Sequence, residues 1–145
     1  DVTQVWPHEI GASRMLIALA IQQRYAGHAK QVGVLAASCG ASVYGCKMVI
    51  VVDDDIDVSN LDQLLWAMLS RYDPATSVDI LRRMRSTPAD PRLTPEQRKV
   101  RDFTNSRMVI DATRPYEWRD KFPKVNAPSQ EVTRKAREKF GYLLK

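Results

Sequence analysis

The chain is 145 residues long and carries 22 Lys and Arg against 17 Asp and Glu, a formal net charge of +5. That length suits one domain with a real core, and no apolar run approaches the roughly 18 uncharged residues that a membrane-spanning helix needs. Two cysteines, Cys39 and Cys46, have no second pair, which excludes a zinc ribbon and argues against a disulfide scaffold; the expectation is two free, mostly buried thiols in a reducing cytoplasm.

In chain order, Val2–Trp6 reads as a short strand stopped by Pro7. Arg14–Gln23, with its Met-Leu-Ile-Ala-Leu-Ala-Ile run, fits a strand buried on both faces. Gly27 opens an alanine-rich helix, Ala29 to Ala37, closed at Gly40. Lys47–Asp53 is the next strand. Ser59 is expected to cap the following helix, with Asp62 in its first turn favouring the helix dipole. Leu61, Leu64, Leu65, Met68 and Leu69 in that helix recur at three- and four-residue steps, one core-facing stripe. The helix stops before Pro74. Val78–Met84 is a strand. Thr87–Asn105 is a long polar loop with three prolines, ordered over Thr87–Pro91 and more mobile over Glu96–Asp102. Arg107–Asp111 is a strand, Tyr116–Pro128 is irregular, and Ser129 caps a last helix that aligns Val132, Ala136 and Phe140. Strands and helices in this alternation predict an α/β domain: a mixed sheet of about four to six strands with helices packed on it. The 145 residues make a single domain, and Asp at position 1 is expected to mark a processed or internal start with no secretory leader before it.

Charge is uneven. Residues 1–91 hold 8 Lys and Arg against 10 Asp and Glu, whereas residues 92–145 hold 14 against 7. A basic carboxyl-terminal third can be a nucleic-acid footprint, but its bases alternate with acids and no aromatic platform or zinc motif accompanies them. A solvated face, or a face docked on an acidic neighbour, fits better. Asp53, Asp54, Asp55 and Asp57 are clustered as a Ca²⁺ or Mg²⁺ site would be. An EF-hand, however, needs glycine and glutamate where Val58 and Leu64 stand, and no phosphate-binding glycine loop exists to complete a nucleotide site. The simpler reading is that these acids cap a helix and satisfy loop amides. His8 and His28 have no nucleophile motif beside them, and Trp6, Trp66 and Trp118 are too scattered for a stacking platform.

Four segments share the order of one known family. Lys47-Met-Val-Ile-Val-Val-Asp-Asp-Asp-Ile-Asp-Val58 is an apolar strand running into D-D-I-D-V. Trp66-Ala67 is followed by Arg71 and Asp73-Pro74. Thr87-Pro88-Ala89-Asp90-Pro91 is similar to a P-L-D-P loop with alanine in place of leucine. Met108-Val-Ile-Asp-Ala-Thr-Arg-Pro115 is similar to an I-I-D-A-T-(K/R)-P strand. From about Tyr25 onward the chain resembles the carboxyl-terminal domain of the UbiD-type decarboxylases. The resemblance implies a domain that oligomerises and closes over the active site of a reversible carboxy-lyase acting on aromatic or α,β-unsaturated acids. Prenylated FMN, a divalent metal (Mn or Mg) and potassium are then bound by an amino-terminal domain that lies outside this sequence. No catalytic, cofactor-binding or metal-binding residue is expected within it, and alone it is expected to be inactive. The implied partners are that flavin domain, further copies of the chain and a small aromatic acid, with no membrane and no nucleic acid. Thr87 and Ala89 match positions that approach the substrate ring. Their small volume suits a bulkier or ring-hydroxylated acid. The alternative is a stand-alone α/β oligomerisation or binding module, docking on nucleic acid through residues 92–145.

Overall fold

The computed structural model describes residues 1–124 and 128–143. Five strands, β1 (Val2–Pro7), β2 (Leu16–Ile21), β3 (Met48–Asp53), β4 (Val78–Arg85) and β5 (Thr104–Ala112), form one mixed sheet in the order β1-β2-β3-β5-β4. The three central strands β2, β3 and β5 run parallel, and each edge strand is antiparallel to its neighbour. This is the predicted class. The central strands carry the apolar runs of residues 16–21, 48–52 and 108–110, as burial on both faces requires. Their side chains alternate between two cores, with Ala18, Ala20, Ile50, Val52 and Ile110 on one face and Leu19, Ile21, Val49, Val51 and Val109 on the other.

Helix α1 (His28–Ser38) covers the second face with small residues, Ala29, Gly33 and Ala37. A Cβ built at Gly33 would lie 2.4 Å from Val109 Cγ1 and 3.2 Å from Val51 Cγ2, so only glycine allows this helix so close to the sheet. Helix α2 (Leu61–Arg71) covers the first face through Leu64 and Ala67. Two expectations are corrected here. The cap of α2 is Asn60, whose side chain accepts from the amides of Asp62 and Gln63, while Ser59 is held back by Asp57. The core-facing stripe is also rotated: Ala67 and Arg71 point inward, whereas Leu65 and Leu69 are exposed, Leu69 at 77%. In that orientation Arg71 reaches the buried Asp53 and the more exposed Asp55.

The long loop is not loop throughout. Pro95–Lys99 forms a short helix, α3, capped by Thr94, which accepts from the Gln97 amide while the Gln97 side chain accepts from the Thr94 amide. The stretch expected to be the looser half therefore holds a defined turn. β5 also begins three residues earlier than expected, at Thr104. Helix α4 (Gln130–Phe140) is capped by Ser129 as predicted. Tyr116–Lys121 makes 3₁₀ turns rather than irregular chain, and residues 125–127 and Leu144 lie outside the described residues. Among the described residues no helix is long and apolar enough to cross a membrane.

Candidate functional site

The apolar run of β3 ends in Asp53, which is buried at the carboxyl edge of the parallel strands. The loop after β2 leads to α1 on one face and the loop after β3 leads to α2 on the other, so a crevice opens between them. Polar side chains fill it. Asp53 Oδ2 accepts from Arg71 Nη1 (3.0 Å), the Arg114 amide (2.8 Å) and Arg114 Nε (3.1 Å), and Oδ1 accepts from Gln23 Nε2 (2.7 Å). Arg71, itself buried, also donates from both terminal nitrogens to Asp55 at 2.9 and 2.8 Å. That paired hydrogen bond holds the Asp55 carboxyl below the usual carboxylate range. Nearby, burial pushes Asp111 up despite two hydrogen bonds from Thr113. The acids therefore satisfy loop amides as expected at Asp57, which accepts from the Ser59 amide and hydroxyl, and at Asp53, which accepts from the Arg114 amide. Asp53 and Asp55 also bind arginine side chains, which was not expected. Gln23, Arg71 and Arg114 were not foreseen as their partners, because residues 16 to 61 positions away meet only through the sheet order.

The turn Thr87–Pro91 lies at the opposite, amino-terminal edge of the parallel strands. Its anchor is Asp90, whose buried carboxylate pairs with Lys47 and accepts from Ser86 Oγ (3.2 Å), Asn105 Nδ2 (3.2 Å) and the Arg92 amide (3.0 Å). Burial alone would raise Asp90, but Lys47 and these donors outweigh it and hold the group low. From α3, Arg98 donates to the carbonyls of Pro88 (2.6 Å) and Asp90 (2.8 Å). The turn is thus clamped from both sides. Thr87 is half-buried, with its Oγ1 3.4 Å from the Ala89 amide, and Ala89 is exposed.

Comparison with known proteins identifies this architecture. The sequence profile of the 3-octaprenyl-4-hydroxybenzoate carboxy-lyase C-terminal domain matches residues 1–112. The chain belongs to the UbiD C-terminal domain family. A phenolic acid decarboxylase of Bacillus subtilis is 35% identical over 121 residues, 79% of this chain and 24% of the relative. A gallate decarboxylase of Lactiplantibacillus plantarum is 28% identical over 131 residues, 86% of this chain and 26% of the relative. Among solved structures, the apo 3,4-dihydroxybenzoic acid decarboxylase of Klebsiella pneumoniae superposes with a TM-score of 0.76 at 26% identity, covering 96% of this chain and 29% of that one. The UbiD-class enzyme HmfF of Pelotomaculum thermopropionicum, in complex with FMN, superposes at 0.75 with 25% identity over 90% of this chain and 27% of that one. The chain spans about a quarter of the length of the curated relatives it matches.

Within this UbiD domain the carboxyl-edge crevice sets Asp53, Asp54 and Asp120 against Arg24, Arg114 and Arg119, a polar lining with no apolar slot for a three-ring system. At the start of α1, Tyr25 and His28 stack on each other, ring centroids 4.7 Å apart. No group of three or more His, Cys, Asp or Glu among the described residues is placed to hold a metal. His8 and His28 are both buried. Desolvation is the main force that lowers His28. Both cysteines are free; Cys46 is buried as expected but Cys39, at the exposed carboxyl end of α1, is not. Several bases of the basic third are dispersed among internal partners. Arg107 is buried and donates to the carbonyls of Ala37 and Arg85, Arg114 is tied to Asp53, and Arg134 and Lys135 pair with Glu138 and Glu131. That dispersal counts against a nucleic-acid footprint.

Proposed function

We propose that this chain is the carboxyl-terminal domain of a cytoplasmic, prenylated-flavin-dependent, reversible decarboxylase of aromatic or α,β-unsaturated carboxylic acids. Membership of the UbiD family carries the reading, with the names of the relatives as decarboxylases of phenolic acids and gallate. In the whole enzyme, the prenylated flavin with its divalent metal and potassium sits in an amino-terminal domain and supplies the electron sink for loss of CO₂. This chain contributes no catalytic group. Its residues shape the substrate end of the pocket, close over it and join copies of the enzyme.

Thr87 and Ala89 are the proposed pocket residues. A turn that lines a pocket must be held in place while its side chains remain available, and this one is anchored through Asp90 and Arg98, away from Thr87 and Ala89. A methyl and a hydroxyl leave room for a ring that carries its own hydroxyl groups, and the Thr87 hydroxyl offers it a hydrogen bond. Thr87→Phe and Ala89→Leu in the full-length enzyme are expected to change the ratio of kcat/KM between hydroxylated and unsubstituted aromatic acids by about tenfold, the scale of a filled or emptied pocket volume. Steady-state kinetics on a panel of acids reads this directly. Unchanged ratios accompanied by lost stability would make the turn purely structural.

A further inference from the structure

A cleft of about 690 Å³ lies beside the Thr87–Pro91 turn, between the β4–β5 ribbon and α3. Its lining includes four cations, Lys47, Arg82, Arg83 and Arg92, and one acid, Asp90. Asp90 is neutralised by Lys47 at the base of the cleft. Among the described residues, Arg82, Arg83 and Arg92 form no salt bridge. Three arginines therefore converge on one concavity with no internal counter-charge, an arrangement that costs free energy through mutual repulsion.

The backbone that presents two of them is also irregular. Between Leu81 and Met84, which face Arg107 and Asn105, Arg82 and Arg83 together oppose the single residue Ser106. This is a β-bulge, a device that redirects side chains at the edge of a sheet. Arg83 adopts φ +55°, the left-handed region that glycine and asparagine occupy at least cost. Such backbone outliers concentrate at binding sites, and here one sets Arg83, a solvent-exposed side chain, in the wall of a cleft that it shares with Arg82 and Arg92.

We propose that this cleft binds a small oxyanion, a carboxylate or a phosphate, through the guanidinium groups of Arg82, Arg83 and Arg92. Guanidinium forks match both groups in a bidentate manner. Thr94, Gln97, Thr104 and Ser106 line the same space and supply neutral polar groups for the rest of the ligand. The inference rests on these residues alone and stands apart from the decarboxylase reading.

The test is titration of the chain with benzoate and, separately, with inorganic phosphate. Ionic strength is held constant with KCl, and backbone amide shifts are followed by NMR. Saturable shifts confined to residues 82–84, 92–97 and 104–106 are expected. A benzoate response identifies the ligand as a carboxylate and a phosphate response as a phosphate. Arg83→Asn, which suits the left-handed backbone, and Arg92→Gln should each weaken binding by about tenfold, the loss of one charge-assisted contact. Arg134→Gln on α4 should change nothing. Two outcomes overturn the proposal: no saturation by either anion up to about 10 mM, or affinity unchanged in both Arg83→Asn and Arg92→Gln.

Discussion

Asp53 shows how a single residue can hold an edge of a sheet. It accepts four hydrogen bonds from three side chains and one backbone amide that reach it from different parts of the chain. Removing its charge leaves Arg71 buried with only the half-exposed Asp55 as counter-charge. Breaking a buried pair from one side is expensive because the remaining charge stays desolvated. Asp53→Asn is expected to lower unfolding stability by about 2–4 kcal/mol, measured by urea denaturation, and to loosen the Arg114 loop. The carboxyls also set the acid limb of stability. Asp55 and Asp90 are held below their ordinary range, so their contribution is complete above about pH 4 and fades as pH falls through their folded-state values. Asp111 has the opposite sign. Its folded-state value is raised by burial, so its ionised form weakens the fold once pH rises through that value. Asp111→Asn should therefore stabilise the chain at pH 7, and the gain should vanish below about pH 4, where both forms are neutral. A gain that persists unchanged into acid would mean that the effect is packing rather than charge.

At the scale of elements, the packing of α1 depends on what Gly33 lacks. Alanine is the better helix former by about 1 kcal/mol, but its methyl would stand 2.4 Å from Val109 Cγ1 on a central strand. Valine is stiff about χ1 and cannot swing away, so overpacking of about 1–3 kcal/mol wins. Gly33→Ala is expected to lower the thermal midpoint, as calorimetry would show. A neutral or positive shift would mean that α1 can slide on the sheet. The same elements show what could be read from residues in order. β3, α1 and the class of the sheet were legible because β-branched runs and small-residue helices announce burial directly. α3 was not, because five residues leave too little periodicity, although its Thr94–Gln97 capping pair and Pro95 are a recognisable start. The rotation of α2 was missed because leucine spacing alone favoured Leu65 and Leu69. Its ion pairs with the buried Asp53 and with Asp55 at the end of β3 explain why Arg71 takes the inward position. The candidate pocket turn was visible as a motif, but its anchoring by Lys47 and Arg98 is tertiary and had no signal in local sequence.

For the whole molecule, α4 is the element that the domain does not use. Among the described residues, the substantial contacts of this 11-residue helix are with the turn that follows it, not with the sheet. Its apolar stripe and the turn after it do not pack on the sheet: Val132 is 55%, Phe140 47% and Leu143 67% exposed. Its ion pairs, Arg134 to Glu138 and Lys135 to Glu131, lie at exposed i,i+4 positions and are worth only a few tenths of a kcal/mol. A helix this short is marginal in water without tertiary contacts, and an exposed apolar face on a separate arm is suited to a second copy of the chain. Self-association through α4 is therefore expected, with mass rising with concentration in light scattering. Val132→Glu with Phe140→Glu should leave the chain monomeric. Because neither residue contributes to the sheet core, the same pair should change unfolding stability of the monomer by less than about 0.5 kcal/mol. A monomeric mass of the unmodified chain at millimolar concentration would refute the association. A large stability loss in the double variant would instead show that α4 packs on the sheet in solution.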